Sequence, residues 1–216
     1  MSLASRLVGL FTVRLAIQTG ITLVAVVLLA LGGWYWYESR ESRGHLALAD
    51  ALNLAFQAQG PGASAEAREK AVQALQSVMS DYPRLSALPQ AAYQLGNLRY
   101  RAGEYGAARG AYEVALAKGA TGTVRTLSAL GIGYTWEAER AYDKALAAYE
   151  AAARNVGPAD FLYEESLLDV ARAQELGGKP SAALETYRRI LKDVPAGRRS
   201  DEVRSLLAKL ESRSGK

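Results

Sequence analysis

The stretch YQLGNLRYRAGEYGAARGAYEVALAKG, Tyr93–Gly119, decides the fold. Its apolar residues recur at intervals of three and four, the period of a helix with one buried face. Gly103-Glu104-Tyr105 interrupts that rhythm, so the stretch reads as helix, turn, helix. Each half carries a small residue where a neighbouring helix must come close, Gly96 in the first and Ala108 in the second. Ala108 is followed four residues later by Tyr112, on the same helical face.

Working outward, the small-then-large pair recurs as Ala71/Leu75, Ala108/Tyr112, Ala145/Tyr149 and Ala183/Tyr187, at steps of 37, 37 and 38 residues. A fixed period of this size marks stacked units that bury their faces on one another. Pro83 and Pro195 each follow the alanine by twelve residues, and Pro158 is one place off. In the upstream halves Leu95-Gly96, Leu130-Gly131 and Val170-Ala171 align as equivalents, which leaves two extra turn residues around 137–142. Further turns fall at Gly60-Pro61-Gly62 and Gly178-Lys179-Pro180. The pattern predicts an all-α chain with repeats at about 46–83, 88–119, 124–157 and 160–195, and with Tyr112, Tyr149 and Tyr187 in the core. Ser200–Ser212 opens with a capping residue and is charged along one side, as the closing helix of a solenoid must be.

These residues together resemble the tetratricopeptide repeat: the Leu-Gly pair, an aromatic a few residues on, a turn glycine, Ala-x-x-x-Tyr and a terminal proline. The resemblance implies an α-solenoid of about four helix pairs whose first helices line a groove for protein partners. On this alignment the groove takes Gln90, Tyr93, Asn97, Tyr100 and Arg101, then Arg125, Ser128, Ile132, Thr135 and Trp136, then Glu165, Leu168, Arg172 and Glu175. Tyr, Trp and Arg are the types enriched at binding hot spots. The carboxylate clamp of members that bind chaperone tails needs Lys and Asn at set positions, and only Asn97 fits.

The N-terminus follows other rules. Leu15–Tyr37 is 23 residues without a charge, about 34 Å as a helix against a hydrocarbon layer of roughly 30 Å. It ends in Trp34, Tyr35, Trp36 and Tyr37, amphipathic rings suited to the membrane interface, and Arg40 and Arg43 follow within reach of lipid phosphates. The run is too long for a cleaved signal and lacks a small-x-small site, so an uncleaved anchor is expected. Two arginines lie close on either side, so orientation rests on the short N-terminal end staying in the cytoplasm. Residues 1–14 place Leu3, Leu7, Leu10 and Phe11 at helical spacing with Arg6 and Arg14, either extending the span or lying at the interface. The remainder, 38–216, forms the repeat domain.

One span ending in Gly33-Trp34-Tyr35-Trp36, then a helix with Ala47, Ala51 and Ala55, then tetratricopeptide units, is similar to the YfgM-like family. That resemblance implies a bacterial inner-membrane protein with a periplasmic repeat domain, an ancillary partner of the Sec translocon and of secretory clients. The N-terminal extension departs from the family in being apolar and short. The alternative is an accessory or assembly subunit of a larger respiratory or secretion complex, for which Thr19, Gly20, Thr22, Gly32 and Gly33 offer close helix packing. A cytoplasm-facing scaffold differs from the first reading only in orientation.

Composition narrows the classes. The 216 residues carry 26 Lys and Arg against 22 Asp and Glu, a net charge of +4 too small to point to nucleic acid. No cysteine means no disulfide, thiolate metal site or thiol nucleophile. The one histidine, His45, reads as an interfacial or solvated residue. Glu164, Glu165 and Asp169 read as a solvated helix face, and the basic C-terminus as a solvated cap. No Gly-Lys-Ser/Thr follows Gly32-Gly33 or Gly177-Gly178, so no phosphate loop is formed. No catalytic set, cofactor, metal or small-molecule substrate is expected.

Overall fold

The computed structural model describes the backbone of residues 3–60 and 62–214 and the side chains of residues 19–60 and 62–213. The side chains of residues 1–14, and Pro61 in the first loop, therefore lie outside the described residues. Among those described there are nine α-helices and no strand: α1 Leu3–Gln57, α2 Ala65–Asp81, α3 Leu88–Arg101, α4 Tyr105–Ala117, α5 Gly122–Ala138, α6 Tyr142–Ala153, α7 Tyr163–Leu176, α8 Pro180–Asp193 and α9 Ser200–Ser214. The chain divides into two units, one ending at His45 and one beginning at Leu46.

The first unit is helical, and every side chain from Thr19 to Glu38 is exposed. Its helix is long and apolar enough to cross a membrane, and none of its apolar window is buried against protein. Trp34, Tyr35, Trp36 and Tyr37 all stand outward, and the Arg40 guanidinium lies 5.5 Å from the Trp36 ring centroid. His45 Nε2 is 3.3 Å from a carboxylate oxygen of Glu41, one turn earlier.

In the second unit each helix packs on the next, from α2 through α9, and α3 also touches α5. The core runs along the stack in three patches. Leu48, Ala51, Ala55 and Ala58 meet α2 and α3; Ala129, Leu130, Ala145, Tyr149, Val170 and Ala173 form the middle; Tyr163, Ala171, Tyr187, Ile190, Val203 and Leu210 close the end. A solenoid has this near-linear core because each pair contacts only its neighbours.

Tyr112, Tyr149 and Tyr187 are buried, as expected. Each fills the space that a small residue leaves sixteen positions earlier. A Cβ on Gly96 would fall 2.4 Å from Tyr112 Cε1, and one on Gly133 would fall 2.2 Å from Tyr149 Cε1. The third member of this register is Ala171, fully buried sixteen residues before Tyr187. Gly133, and not Gly131, is thus the counterpart of Gly96. A Cβ on Gly131 would instead fall 2.6 Å from Tyr112 Cζ, so this glycine also makes room for the Tyr112 ring.

That register removes the two extra turn residues. The turns 102–104, 139–141 and 177–179 are equally long and close with the same bonds: Glu104 N–H to Arg99 O, Ala141 N–H to Trp136 O, and Lys179 N–H to Gln174 O. Their middle residues are left-handed, with φ of 77° at Gly103, 59° at Arg140 and 73° at Gly178. Arg140 takes up a conformation that its Cβ disfavours.

Two ends differ from each other. Ser64 caps α2, its Oγ accepting from Ala67 N–H at 3.1 Å. Ser200, expected to cap α9, is buried and its hydroxyl donates to Val194 O at 3.0 Å. The helix still closes the stack, with Val203 and Leu210 inward and charges outward.

Replacing Gly133 by Ala forces the Tyr149 ring from its seat and is expected to cost about 1–3 kcal/mol in urea unfolding. Gly110, also within a helix but with nothing within 4 Å of its Cβ position, provides the contrast. Gly110→Ala is expected to gain about 0.5–1 kcal/mol, and equal effects at both sites would contradict the register.

Candidate protein-binding surface

The first helices of the pairs, α3, α5 and α7, lie side by side, and their shared face is rich in tyrosine. Tyr93 packs near Tyr112 at 6.0 Å between ring centroids, and Tyr100 lies 5.5 Å from Tyr105 and 6.5 Å from Tyr134. Tyr134 meets the edge of Tyr149 at 5.5 Å. Rings at these separations and tilts attract beyond their buried area. The hydroxyls point to polar partners: Tyr112 donates to Asn97 Oδ1 at 2.9 Å, Tyr149 to Glu137 Oε2 at 2.8 Å and Tyr187 to Glu175 Oε1 at 2.5 Å.

A charged network ties α5 to α7 within this face. Tyr134 donates to Asp169 Oδ2 at 2.6 Å, and Arg172 Nη2 pairs with Asp169 Oδ1 at 2.7 Å. The same guanidinium gives Nε to Glu137 Oε1 at 3.0 Å and sits 5.9 and 5.8 Å from the Tyr134 and Tyr149 ring centroids. Asp169 is 1% exposed, and burial pushes its carboxyl up to about 6 despite the Arg172 charge and the Tyr134 bond. It is not part of a solvated face. Burial, together with the Glu137 and Asp169 carboxylates, raises the Tyr149 phenol. Burial opposes the charge on Arg172, but Asp169 and Glu137 outweigh it and hold the guanidinium firmly cationic.

Tyr93, Asn97, Tyr100, Arg172 and Glu175 lie on or beside this network. Arg101 is exposed and donates to Gln59 O at 3.4 Å. Glu165 is engaged by Arg199, and Leu168 is buried. The α5 residues fall elsewhere. Ser128 and Thr135 are fully buried, Thr135 accepting from Arg109 Nη1 at 3.2 Å, so neither presents a surface. Trp136 is held between the Arg109 guanidinium, 3.4 Å from its ring centroid, and Lys144 Nζ at 4.3 Å, side chains of α4 and α6. Arg125 lines a separate cavity with Arg154.

The two-residue offset explains these corrections. Two residues turn a helix by about 200°, which exchanges one face for the other. Tyr134 and Glu137 stand where Ile132 and Thr135 were expected; the sixteen-residue spacing from glycine to tyrosine is the signal that locates them.

Interlocked phenols, carboxylates and one guanidinium make a semi-exposed and already hydrogen-bonded face, the candidate surface for protein contact. Among the described residues no cluster of His, Cys, Asp or Glu is placed to hold a metal ion.

Comparison with known proteins agrees with this architecture. The model of a tetratricopeptide repeat matches residues 165–196. The crystal structure of the Podosopora anserina "putative kinesin light chain nearly identical TPR-like repeats" is similar, with a TM-score of 0.57 at 16% identity over 81% of this chain and 85% of that one. The MamA RS-1 ArsTM double mutant is similar with a TM-score of 0.53 at 14% identity, over 79% of this chain and 96% of that one. No curated protein sequence matches the chain.

The folded protein protonates Asp169 near pH 6 and the unfolded chain near 3.8. Burial of this carboxylate therefore costs stability at neutral pH, and the cost is relieved as pH falls through about 6, by about 3 kcal/mol in all. Asp169→Asn cannot titrate. The stability of the wild type relative to this variant should rise between about pH 7 and pH 4, read from urea midpoints at each pH; a constant difference would mean that Asp169 stays ionised.

Proposed function

We propose that the protein is a scaffold for protein–protein contact, anchored in a bacterial inner membrane through residues 15–37. Its N-terminus is cytoplasmic and its repeat unit periplasmic, where the tyrosine-rich face takes up secretory clients or a subunit of the Sec translocon. The observation that carries this reading is the face built by α3, α5 and α7. Tyr93, Tyr100, Tyr134 and Arg172 are part-exposed on it, and such side chains dominate the energetics of protein interfaces. Tetratricopeptide arrays are interaction scaffolds, which fits a surface of fixed hydrogen bonds.

The helix of the first unit supports anchorage. An uncharged run with every described side chain exposed is costly in water and at home in lipid, and the outward Trp34–Tyr37 belt suits an interface. Anchorage confines encounters to the membrane plane and raises the effective concentration of partners there.

One observation favours a subunit of a larger envelope complex. Nothing lies within 4 Å of a Cβ on Gly20, Gly32 or Gly33, leaving open places where another helix can approach closely.

Photo-crosslinking amino acids at Tyr93, Tyr100 and Arg101 of the full chain in living cells test both readings, with Glu113 and Glu185 on the second helices as controls. Adducts to a translocon subunit or to secretory clients from the first set alone are expected. Adducts from Gly20 and Gly32 to one complex at fixed stoichiometry, with none from Tyr93 or Tyr100, would favour the subunit reading. A reporter active only outside the cytoplasm, fused after Lys216, reads orientation; its silence would place the repeats in the cytoplasm.

A further inference from the structure

The two ends of the repeat stack are finished differently. At the C-terminal end α9 buries Val203 and Leu210, and its exposed positions are polar apart from Ala208. A polar outer face is what the last helix of a solenoid needs in water. At the other end, the part of α1 in the second unit buries Leu48, Ala51 and Ala55 and turns Leu46, Ala49, Asn53 and Phe56 outward. Leu46 is 69% exposed and Phe56 80%, and the one charge among the exposed residues of this stretch is Asp50. At about 100° per residue the four outward side chains stand opposite the buried stripe.

Their spacing is three, four, three, the a/d rhythm of a coiled-coil seam, with Leu46 and Asn53 at a and Ala49 and Phe56 at d. Three features select a second copy of this chain as the occupant. First, an asparagine at a pairs with its own counterpart in a parallel two-stranded seam and sets the register. Asn53 Oδ1 accepts from Gln57 Nε2 at 3.3 Å, and its amide hydrogens can serve the facing Asn53. Second, the same rhythm runs back in sequence through Ser42, Ser39 and Gly32. It places Glu38 at g and Arg43 at e, opposite charges that meet across a parallel pair of copies. Both side chains are exposed, and Arg43 gives Nε and Nη2 to Ser39, one turn earlier, which leaves Nη1 for the facing carboxylate. Third, two chains anchored in one membrane are already parallel, the orientation that the asparagine and the charge pair both require.

We propose that the protein forms a parallel homodimer through α1, with Leu46, Ala49, Asn53 and Phe56 of each copy facing the same residues of the other. The proposal rests on the membrane anchorage argued above, which supplies the common orientation and raises the effective concentration for so short a seam.

The chain has no cysteine, so single-cysteine variants of the full chain report without background. In membranes treated with a mild oxidant, Ala49→Cys is expected to give a disulfide-linked homodimer. Leu54→Cys, also exposed but off the seam, should give about tenfold less. In the Ala49→Cys background, Glu38→Arg should lower the yield about threefold, and adding Arg43→Glu should restore it. Leu46→Asp with Phe56→Asp should abolish the product while leaving the urea midpoint unchanged, because both side chains are exposed. No dimer from Ala49→Cys, equal yields from both cysteines, or an adduct to a different protein would overturn the proposal. Retention in carbonate-washed membranes is read separately: a chain that washes out refutes the anchor, and the cross-link pattern still decides the homodimer.

Discussion

The repeat unit depends on one packing relation: a tyrosine ring of a second helix seated where a first helix has no side chain. Tyr112 meets this condition twice, between Gly96 of its own pair and Gly131 of the next. One ring therefore both closes a pair and joins it to its successor, which makes the stack continuous rather than a row of separate hairpins. Because interiors are packed to crystal-like density, a single added methyl at these points displaces a ring.

The same relation positions the tyrosine-rich face. Once the rings of Tyr112, Tyr149 and Tyr187 are seated, their hydroxyls emerge beside Asn97, Glu137 and Glu175. Core and surface are thus two ends of the same side chains, the apolar body inward and the polar tip at the face. Arg172 and Asp169 add a link between α5 and α7. With Asp169 buried and Arg172 part-exposed, the pair is weak evidence for stability, because desolvation of the carboxylate offsets the attraction. Its consequence here is orientation, since the guanidinium is held beside Tyr134, Tyr149 and Glu137.

On the tyrosine face arginine is matched by carboxylates, as with Arg172, and on the second helices Arg109 is shared between Glu139 and Trp136.

The period near 37 residues, the helix–turn–helix rhythm and the buried tyrosines were determined by the sequence, because small and large residues recur where helices must touch. So was the bilayer-length apolar run, which needs only composition and length. Tertiary structure decided the register of α5. Leu130-Gly131 and Ile132-Gly133 read alike as an apolar residue followed by glycine, and the Tyr149 ring lying against Gly133 shows that the sixteen-residue spacing to tyrosine, not the pair itself, fixes the register. That difference of two residues moved Trp136 and Ser128 off the expected groove and brought Tyr134 and Glu137 onto it. Asp169 passed for a solvated carboxylate for a related reason: its burial comes from the neighbouring α5, and no local pattern in α7 records which side that helix will cover.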